Sequence, residues 1–302
     1  MLKDQGKVLY FQQYFQKDEP PDENSLEERS AEAFYELANA PVVGFKIESS
    51  KRGKEIRIHQ DSECQTHTGG IVWETSYLLA CYLEAKHKNK KNSLGKVLEV
   101  GSGCGMLGLI LSASKLAKNV VMTETTEVLP NLEENVSFNL KQKGQKKRGG
   151  HDREQYTFPC CTKKKVSVRS LRWDELDQDI KNCQEDGSND LEPHSFDTII
   201  GTDVIFSTRL VNPLLESLQR MSHERTKVYL CVQVRCADSH AMFLKEASKY
   251  GLAVSDCTDE LNDVGQLKWG LALDCKLLSL SVIIEKGGES SRTRKKRKRE
   301  NR

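Results

Sequence analysis

The segment Val97-Leu98-Glu99-Val100-Gly101-Ser102-Gly103-Cys104-Gly105 constrains this chain more than any other. Its first four residues read as a buried strand. The alternating glycines that follow let the backbone turn sharply and approach a bound group with no Cβ in between. A strand ending in such a loop is the nucleotide-type binding corner of an open α/β sheet. The remainder of the chain keeps the same rhythm of strand, loop and helix. Residues 120–123, 166–171, 196–201 and 228–234 read as further strands, and apolar residues at helical spacing mark helices at 71–86, 107–116, 129–140, 210–221 and 240–250. Residues 252–255 and 277–285 are strands with no crossover helix of sufficient length between them, which predicts a closing antiparallel pair. The expected fold is α/β: a Rossmann-like, seven-stranded, mostly parallel sheet with helices on both faces. Ahead of it, residues 42–48 and 55–59 alternate about a polar turn as an N-terminal β-hairpin extension.

Charge divides the chain further. Residues 141–165 and 286–302 each carry nine Lys/Arg against two acids, so a total of +2 conceals a net charge of −12 on everything else. The organisation read from this is an N-terminal arm (1–41), polar and partly mobile around 17–31; a main domain (42–286) interrupted by the basic insertion 141–165; and a basic, disordered tail (287–302). The run Arg294 to Arg299 has the composition of a nuclear-import or nucleic-acid patch, which places the protein in the nucleus, the cytoplasm or both. No segment reaches the roughly 18 apolar residues of a membrane span, and the amino terminus lacks a secretory apolar run, so no membrane partner is expected. The ten cysteines are scattered, as reduced and mostly buried thiols would be. His151, Cys160 and Cys161 do not make a metal site, because adjacent cysteines do not readily chelate one ion and a fourth ligand is missing; no metal is expected.

The glycine loop does not by itself name its ligand. Counted from Gly101, the dinucleotide pattern fails at Met106; counted from Gly103, Gly103-x-Gly105-x-x-Gly108 satisfies it literally. Glu124, at the end of the second strand, is placed to accept hydrogen bonds from ribose hydroxyls, which serves either a dinucleotide or S-adenosylmethionine. Trp173 and Asp174 follow the third strand, where an aromatic ring can pack on an adenine and a polar neighbour can read its edge. Thr202-Asp203-Val204-Ile205-Phe206 follows the fourth strand, at the carboxyl edge where open sheets bind ligands.

With Gly69-Gly70-Ile71-Val72-Trp73-Glu74, the loop 97–105, Leu171-Arg172-Trp173-Asp174 and Asp203-Val204-Ile205-Phe206 in this order, the chain resembles the seven-strand methyltransferases over residues 42–286. It is most similar to the family-sixteen group of methyltransferase-like lysine methyltransferases. The resemblance implies S-adenosyl-L-methionine as cofactor, held by Trp73, Glu99, Gly101, Ser102, Gly103, Glu124, Trp173 and Thr202. It implies that Asp203 and Phe206 border the methyl-accepting amine, and that the acceptor is a protein bearing the target lysine. A monomer is expected. One departure stands out: related proteins often carry an acid two residues before the arginine of the fifth strand, where this chain has Gln233 before Arg235. Two other readings stay open. One is a nucleic-acid or ribosome-associated methyltransferase guided by the basic segments, although the Asn/Asp-Pro-Pro-aromatic motif of such enzymes is absent; the other is a noncatalytic cofactor-binding adaptor.

Overall fold

The computed structural model describes residues 8–15, 32–47, 54–61, 68–88, 90–140, 165–262 and 274–284. Residues 17–31 of the arm, all but the last residue of the 141–165 insertion with His151, Cys160 and Cys161, and the tail 287–302 lie outside them.

The main sheet has seven strands: β4 (Lys96–Val100), β5 (Asn119–Glu124), β6 (Lys165–Ser170), β7 (Phe196–Thr202), β8 (Ser222–Gln233), β9 (Leu252–Asp256) and β10 (Cys275–Val282). Their spatial order is β6-β5-β4-β7-β8-β10-β9. All pairings up to β8 are parallel, and β10 lies antiparallel between β8 and β9. The α/β sheet and its closing antiparallel pair agree with the sequence. The chain leaves β4 in one direction to form β5 and β6 and returns on the other side to form β7. The carboxyl ends of β4 and β7 therefore flank the crevice at which such sheets bind ligands.

Each face of the sheet buries its own layer. Val97, on one face of β4, joins a core with Leu79, Ile110 and Val136; Leu98 and Val100, on the other, join Ile180, Leu214 and Phe243. The first layer holds α3 (Glu74–Lys86), α4 (Met106–Ala113) and α5 (Leu129–Leu140). Every residue of α4 is buried, so this helix is apolar all round and lies within the core. The second layer holds α6 (Leu176–Glu185), α7 (Thr208–Met221) and α8 (Ala237–Glu246). Residue-level boundaries shift from the sequence reading. α3 begins at Glu74 because Trp73 is extended, and the helix expected over 240–250 is α8 followed by a 3₁₀ turn, Ala247–Tyr250, that stops at left-handed Gly251.

The N-terminal hairpin is one part of a three-stranded sheet. β1 (Leu9–Tyr10) pairs parallel with β2 (Val42–Lys46), which pairs antiparallel with β3 (Glu55–His59). Phe11, in α1 (Phe11–Phe15), is fully buried and stacks on Tyr77 of α3, while residues 32–39, helical and here called α2, bury Leu37. Thus parts of the segment assigned to the arm pack against the main domain. The free edge of β3 is closed by side chains: Asn135 and Asn139, one turn apart on α5, use their carboxamides to bond both the N–H and the C=O of His59 and Arg57, respectively. An edge strand that would otherwise expose its ladder is capped without another strand. That clamp fixes the small sheet against the domain.

Candidate active site

A cavity of about 540 Å³ opens at the carboxyl ends of β4, β5 and β7. Its walls include Trp73, Gly101, Ser102, Gly103, Glu124, Trp173, Thr202, Asp203 and Phe206. Nine of the ten residues singled out in the sequence thus meet at one cavity; Glu99 does not line it.

One end of the cavity is set by the loop after β4. Gly101 and Gly103 both take left-handed backbone angles, φ 65° and 52°. A Cβ on Gly101 would lie 3.0 Å from Val204 Cγ1 and 3.6 Å from Trp173 Cζ2, so the glycine is what lets the loop run under the indole. Gly105 and Gly108 serve packing instead: a Cβ there would meet Leu132 and Met122 at 2.5 and 2.7 Å, or Glu99 Oε2 at 2.4 Å. Of the shifted dinucleotide register, Gly103 and Gly105 line the cavity, whereas Gly108 lies outside it over Glu99. Ser102 turns inward: its Oγ accepts the Thr123 N–H at 3.0 Å and its own N–H donates to Thr123 O at 2.8 Å, which pins the loop to β5. Glu124, at the end of β5, accepts the Gly103 N–H at 3.1 Å on one oxygen and the Thr125 N–H at 2.6 Å on the other. A carboxylate so held keeps lone pairs for further donors.

Trp173 sits in a 3₁₀ turn, Trp173–Glu175, between β6 and α6. Buried Asp179 secures that turn by accepting the Arg172 N–H at 2.7 Å and Arg172 Nη2 at 2.6 Å. Helix α6 is absent from the sequence reading, although Leu176, Ile180 and Cys183 recur at helical spacing and are buried. The adjoining Trp173-Asp174 pair, read as ligand residues, masks that signal.

Glu99 points the other way. It alternates with Leu98 and Val100 along β4, so its side chain falls on the α4 face, only 2% exposed, beneath Gly108. Burial pushes its pKa up to about 8; the Glu124 charge adds to this, and hydrogen bonds from Ser102 and the Gly108 N–H oppose it. The folded state therefore keeps a proton that the unfolded chain releases above its usual 4.5. The contribution is full below that value and is lost as pH rises toward about 8. Thermal midpoints of the wild type are expected to fall between pH 5 and 8 more than those of Glu99→Gln, roughly the range set by this linkage. Equal slopes would reject a protonated Glu99.

The opposite end of the cavity gathers polar groups from α3, β7 and β8. Asp203 closes β7 in a left-handed conformation, φ 51°. Its Oδ1 accepts the Gln233 backbone N–H at 2.7 Å; its Oδ2 accepts the Thr75 hydroxyl at 2.9 Å and lies 3.5 Å from Arg235 Nη2. The same Nη2 is 3.2 Å from Oε1 of buried Glu74. Two carboxylates thus share one guanidinium. Burial raises the pKa of both Asp203 and Glu74, and Arg235 opposes it. Arg235 also lies over the Trp73 ring at 4.3 Å, and Trp73 stacks on Phe34 of α2 at 5.4 Å. Its indole N–H donates to Thr68 O at 2.9 Å. Ser76 and Thr202 hydroxyls are 3.0 Å apart, tying α3 to the end of β7. Phe206 remains 44% exposed at the cavity wall. The sequence reading misses Glu74, Thr75, Ser76 and Phe34 as parts of this end; only Trp73-Glu74 enters it, as a motif.

The cavity suits a nucleoside carrying a cationic group. Glycine backbone, a held carboxylate and an aromatic plane lie at one end, and a buried, partly compensated acid lies at the other. Those features fit S-adenosyl-L-methionine. Among the described residues, no group of three or more His, Cys, Asp or Glu could hold a metal ion, and no helix is long and apolar enough to cross a membrane.

Comparison with known proteins agrees. A family model described as lysine methyltransferase matches residues 50–250. Mouse protein-lysine methyltransferase METTL21E is 26% identical over 223 residues, covering 72% of this chain and 76% of that protein. Its bovine counterpart is 28% identical over 200 residues, covering 66% of this chain but only 57% of the relative's length. EEF1A lysine methyltransferase 3 of Xenopus tropicalis is 24% identical over 183 residues, covering 61% and 66%.

Proposed function

The chain belongs to the lysine methyltransferase family, and from that premise we propose how its residues transfer a methyl group from S-adenosyl-L-methionine to a lysine side chain of a protein. The observation that carries this reading is the meeting, in one cavity, of the Gly101–Gly103 loop, Glu124 and Trp173 with Asp203 and Phe206. When bound, the cofactor would supply a sulfonium methyl: as the neutral amine bonds to the methyl carbon in line, the carbon–sulfur bond would break and its electron pair leave on the sulfur as a neutral thioether.

Gly101 and Gly103 offer backbone at close approach, Glu124 accepts the ribose hydroxyls, and Trp173 packs beside the base. Ser102 acts through its backbone, since its hydroxyl is engaged with β5. Glu99 acts from below the loop as a packing acid. Trp73 and Thr202 shape the wall between the two ends. At the acceptor end, Asp203 takes a hydrogen bond from the incoming ε-amine and orients its lone pair, while Phe206 walls the channel and presents its π face to the developing cation. Alignment and exclusion of water, with no further acid–base machinery, account for the rate. We further infer that the protein works in the nucleus, the cytoplasm or both, a reading supported by the basic run Arg294 to Arg299 in the sequence.

Incubating the protein with tritiated S-adenosyl-L-methionine and heat-treated whole-cell lysate separates this reading from the nucleic-acid alternative. Label that is lost on protease treatment and survives ribonuclease supports a protein acceptor. Label removed by ribonuclease selects the other class, and binding of cofactor without any transfer selects the adaptor.

A further inference from the structure

Two buried acceptors at the acceptor end, Glu74 Oε2 and Gln233 Oε1, have no partner among the described residues, and of the two only Gln233 lines the cavity. Gln233, the last residue of β8, lines the cavity, and its Oε1 is buried without a partner. Its backbone N–H is fixed on Asp203 Oδ1 at 2.7 Å, so the carboxamide grows from a point tied directly to the proposed amine-binding acid. A buried amide oxygen left unpaired costs on the order of 1–3 kcal/mol, which makes a donor from the substrate the natural partner.

Asp203 has little capacity to spare. A carboxylate offers about four lone-pair sites. The Gln233 N–H, the Thr75 hydroxyl and the Arg235 guanidinium claim three of them, both of the last two on Oδ2. One site on Oδ1 remains. A neutral primary amine, however, brings two N–H donors along with the lone pair that must face the methyl. One acceptor on Asp203 and one on Gln233 match this requirement.

We propose that Gln233 positions the target amine: its Oε1 accepts one N–H of the lysine ε-amine while Asp203 Oδ1 accepts the other, leaving the nitrogen lone pair free for the methyl. The inference rests on the lysine-methyltransferase reading above. Its chemistry has two consequences. A neutral acceptor holds an amine without favouring the ammonium form, whereas a carboxylate at the same place would favour it and hold the nucleophile protonated to higher pH. Each methyl added also removes one N–H, so the secondary amine keeps one anchor and the tertiary amine none. Transfer should slow at each step and stop largely at dimethyllysine.

The test uses the full-length chain with tritiated S-adenosyl-L-methionine and heat-treated lysate, measuring initial rate against pH, and the product degree on labelled protein by mass spectrometry. Cofactor affinity is followed separately by calorimetry. Q233L should lower the initial rate at limiting acceptor about tenfold, the loss of one neutral hydrogen bond, with unchanged cofactor affinity. Q233E, nearly isosteric, should bind cofactor and shift the rising limb of the pH–rate profile to higher pH, a change that a purely structural residue would not produce. Wild-type rate and pH profile in both variants would overturn the proposal, and so would loss of cofactor binding in both. If the wild type itself transferred nothing while binding cofactor, the lysine-methyltransferase reading would fail first, an outcome distinct from failure of Gln233 alone.

Discussion

Asp203→Asn should reduce the turnover number for methyl transfer by about 10²- to 10³-fold, the scale of losing a group that orients the nucleophile. Cofactor affinity should change little. Asparagine is the substitution of choice because Asp203 has φ 51°, a left-handed conformation that Asn tolerates and most residues do not. Its carbonyl oxygen can still accept the Gln233 N–H, so the tie between β7 and β8 survives. What it removes is the negative charge opposite Arg235, and the acceptor facing Thr75, where the Asn amide presents donors to a hydroxyl and a guanidinium. The amine then loses its charged partner, and Arg235 is left to Glu74. Steady-state kinetics beside calorimetric titration with S-adenosyl-L-methionine separate the two effects. Full turnover in Asp203→Asn would remove Asp203 from the acceptor site; lost cofactor binding would reassign it to the cofactor end.

The second large effect belongs to Gly101→Arg, which should weaken cofactor binding by more than about a hundredfold, since a long cation would fill the cavity and meet the bound sulfonium with like charge. The backbone cost is smaller. A non-glycine residue at φ 65° loses about 1–2 kcal/mol, which corresponds to a fall in thermal midpoint of roughly 2 to 8 °C. The Cβ would stand 3.0 Å from Val204 Cγ1, a contact the neighbour can relieve by a few tenths of an ångström. Gly187→Arg provides the control. Gly187 has φ 72°, a Cβ added to it would meet no atom of the described residues within 4 Å, and it does not line the cavity. It should therefore share the backbone cost and keep full cofactor affinity. Intact binding by Gly101→Arg would place the cofactor elsewhere.

The contrast between Glu99 and Glu124 explains what the sequence made legible. Glu124 ends β5 and Glu99 stands one residue before the end of β4, both beside the glycine loop, and the motif alone assigns both to the ligand. Strand alternation separates them: Glu99 shares the α4 face with Val97, whereas Glu124 stands at the terminal position of β5, where the chain leaves the sheet at the cavity. The parallel strands, the closing antiparallel pair and the cavity at their carboxyl ends follow from local hydrophobic pattern, because β-strand spacing and loop position are local properties. The end of the cavity around Asp203 does not. Thr75 reaches Asp203 across 128 positions of sequence, and Ser76 reaches Thr202 across 126. Within α3 these two read only as small polar residues in the first turn of an apolar helix. Asn135 and Asn139 are equally opaque: polar residues on a helix look solvated until the unpaired edge of β3 is placed against them. Phe34 and Leu37 lie in a polar, acid-rich stretch whose composition favours an arm, yet Trp73 and the small sheet supply the apolar surface that holds them.

Amino-acid analysis of the labelled product tests the central claim most directly. Protein from the tritium-transfer reaction is hydrolysed to free amino acids and the radioactivity is separated chromatographically. The geometry of the cavity predicts that label co-migrates with mono- and dimethyllysine, and that it disappears in both Asp203→Asn and Gly101→Arg. Label in methylarginine, methylhistidine or nucleoside fractions, or label at lysine that persists undiminished in Asp203→Asn, would contradict it.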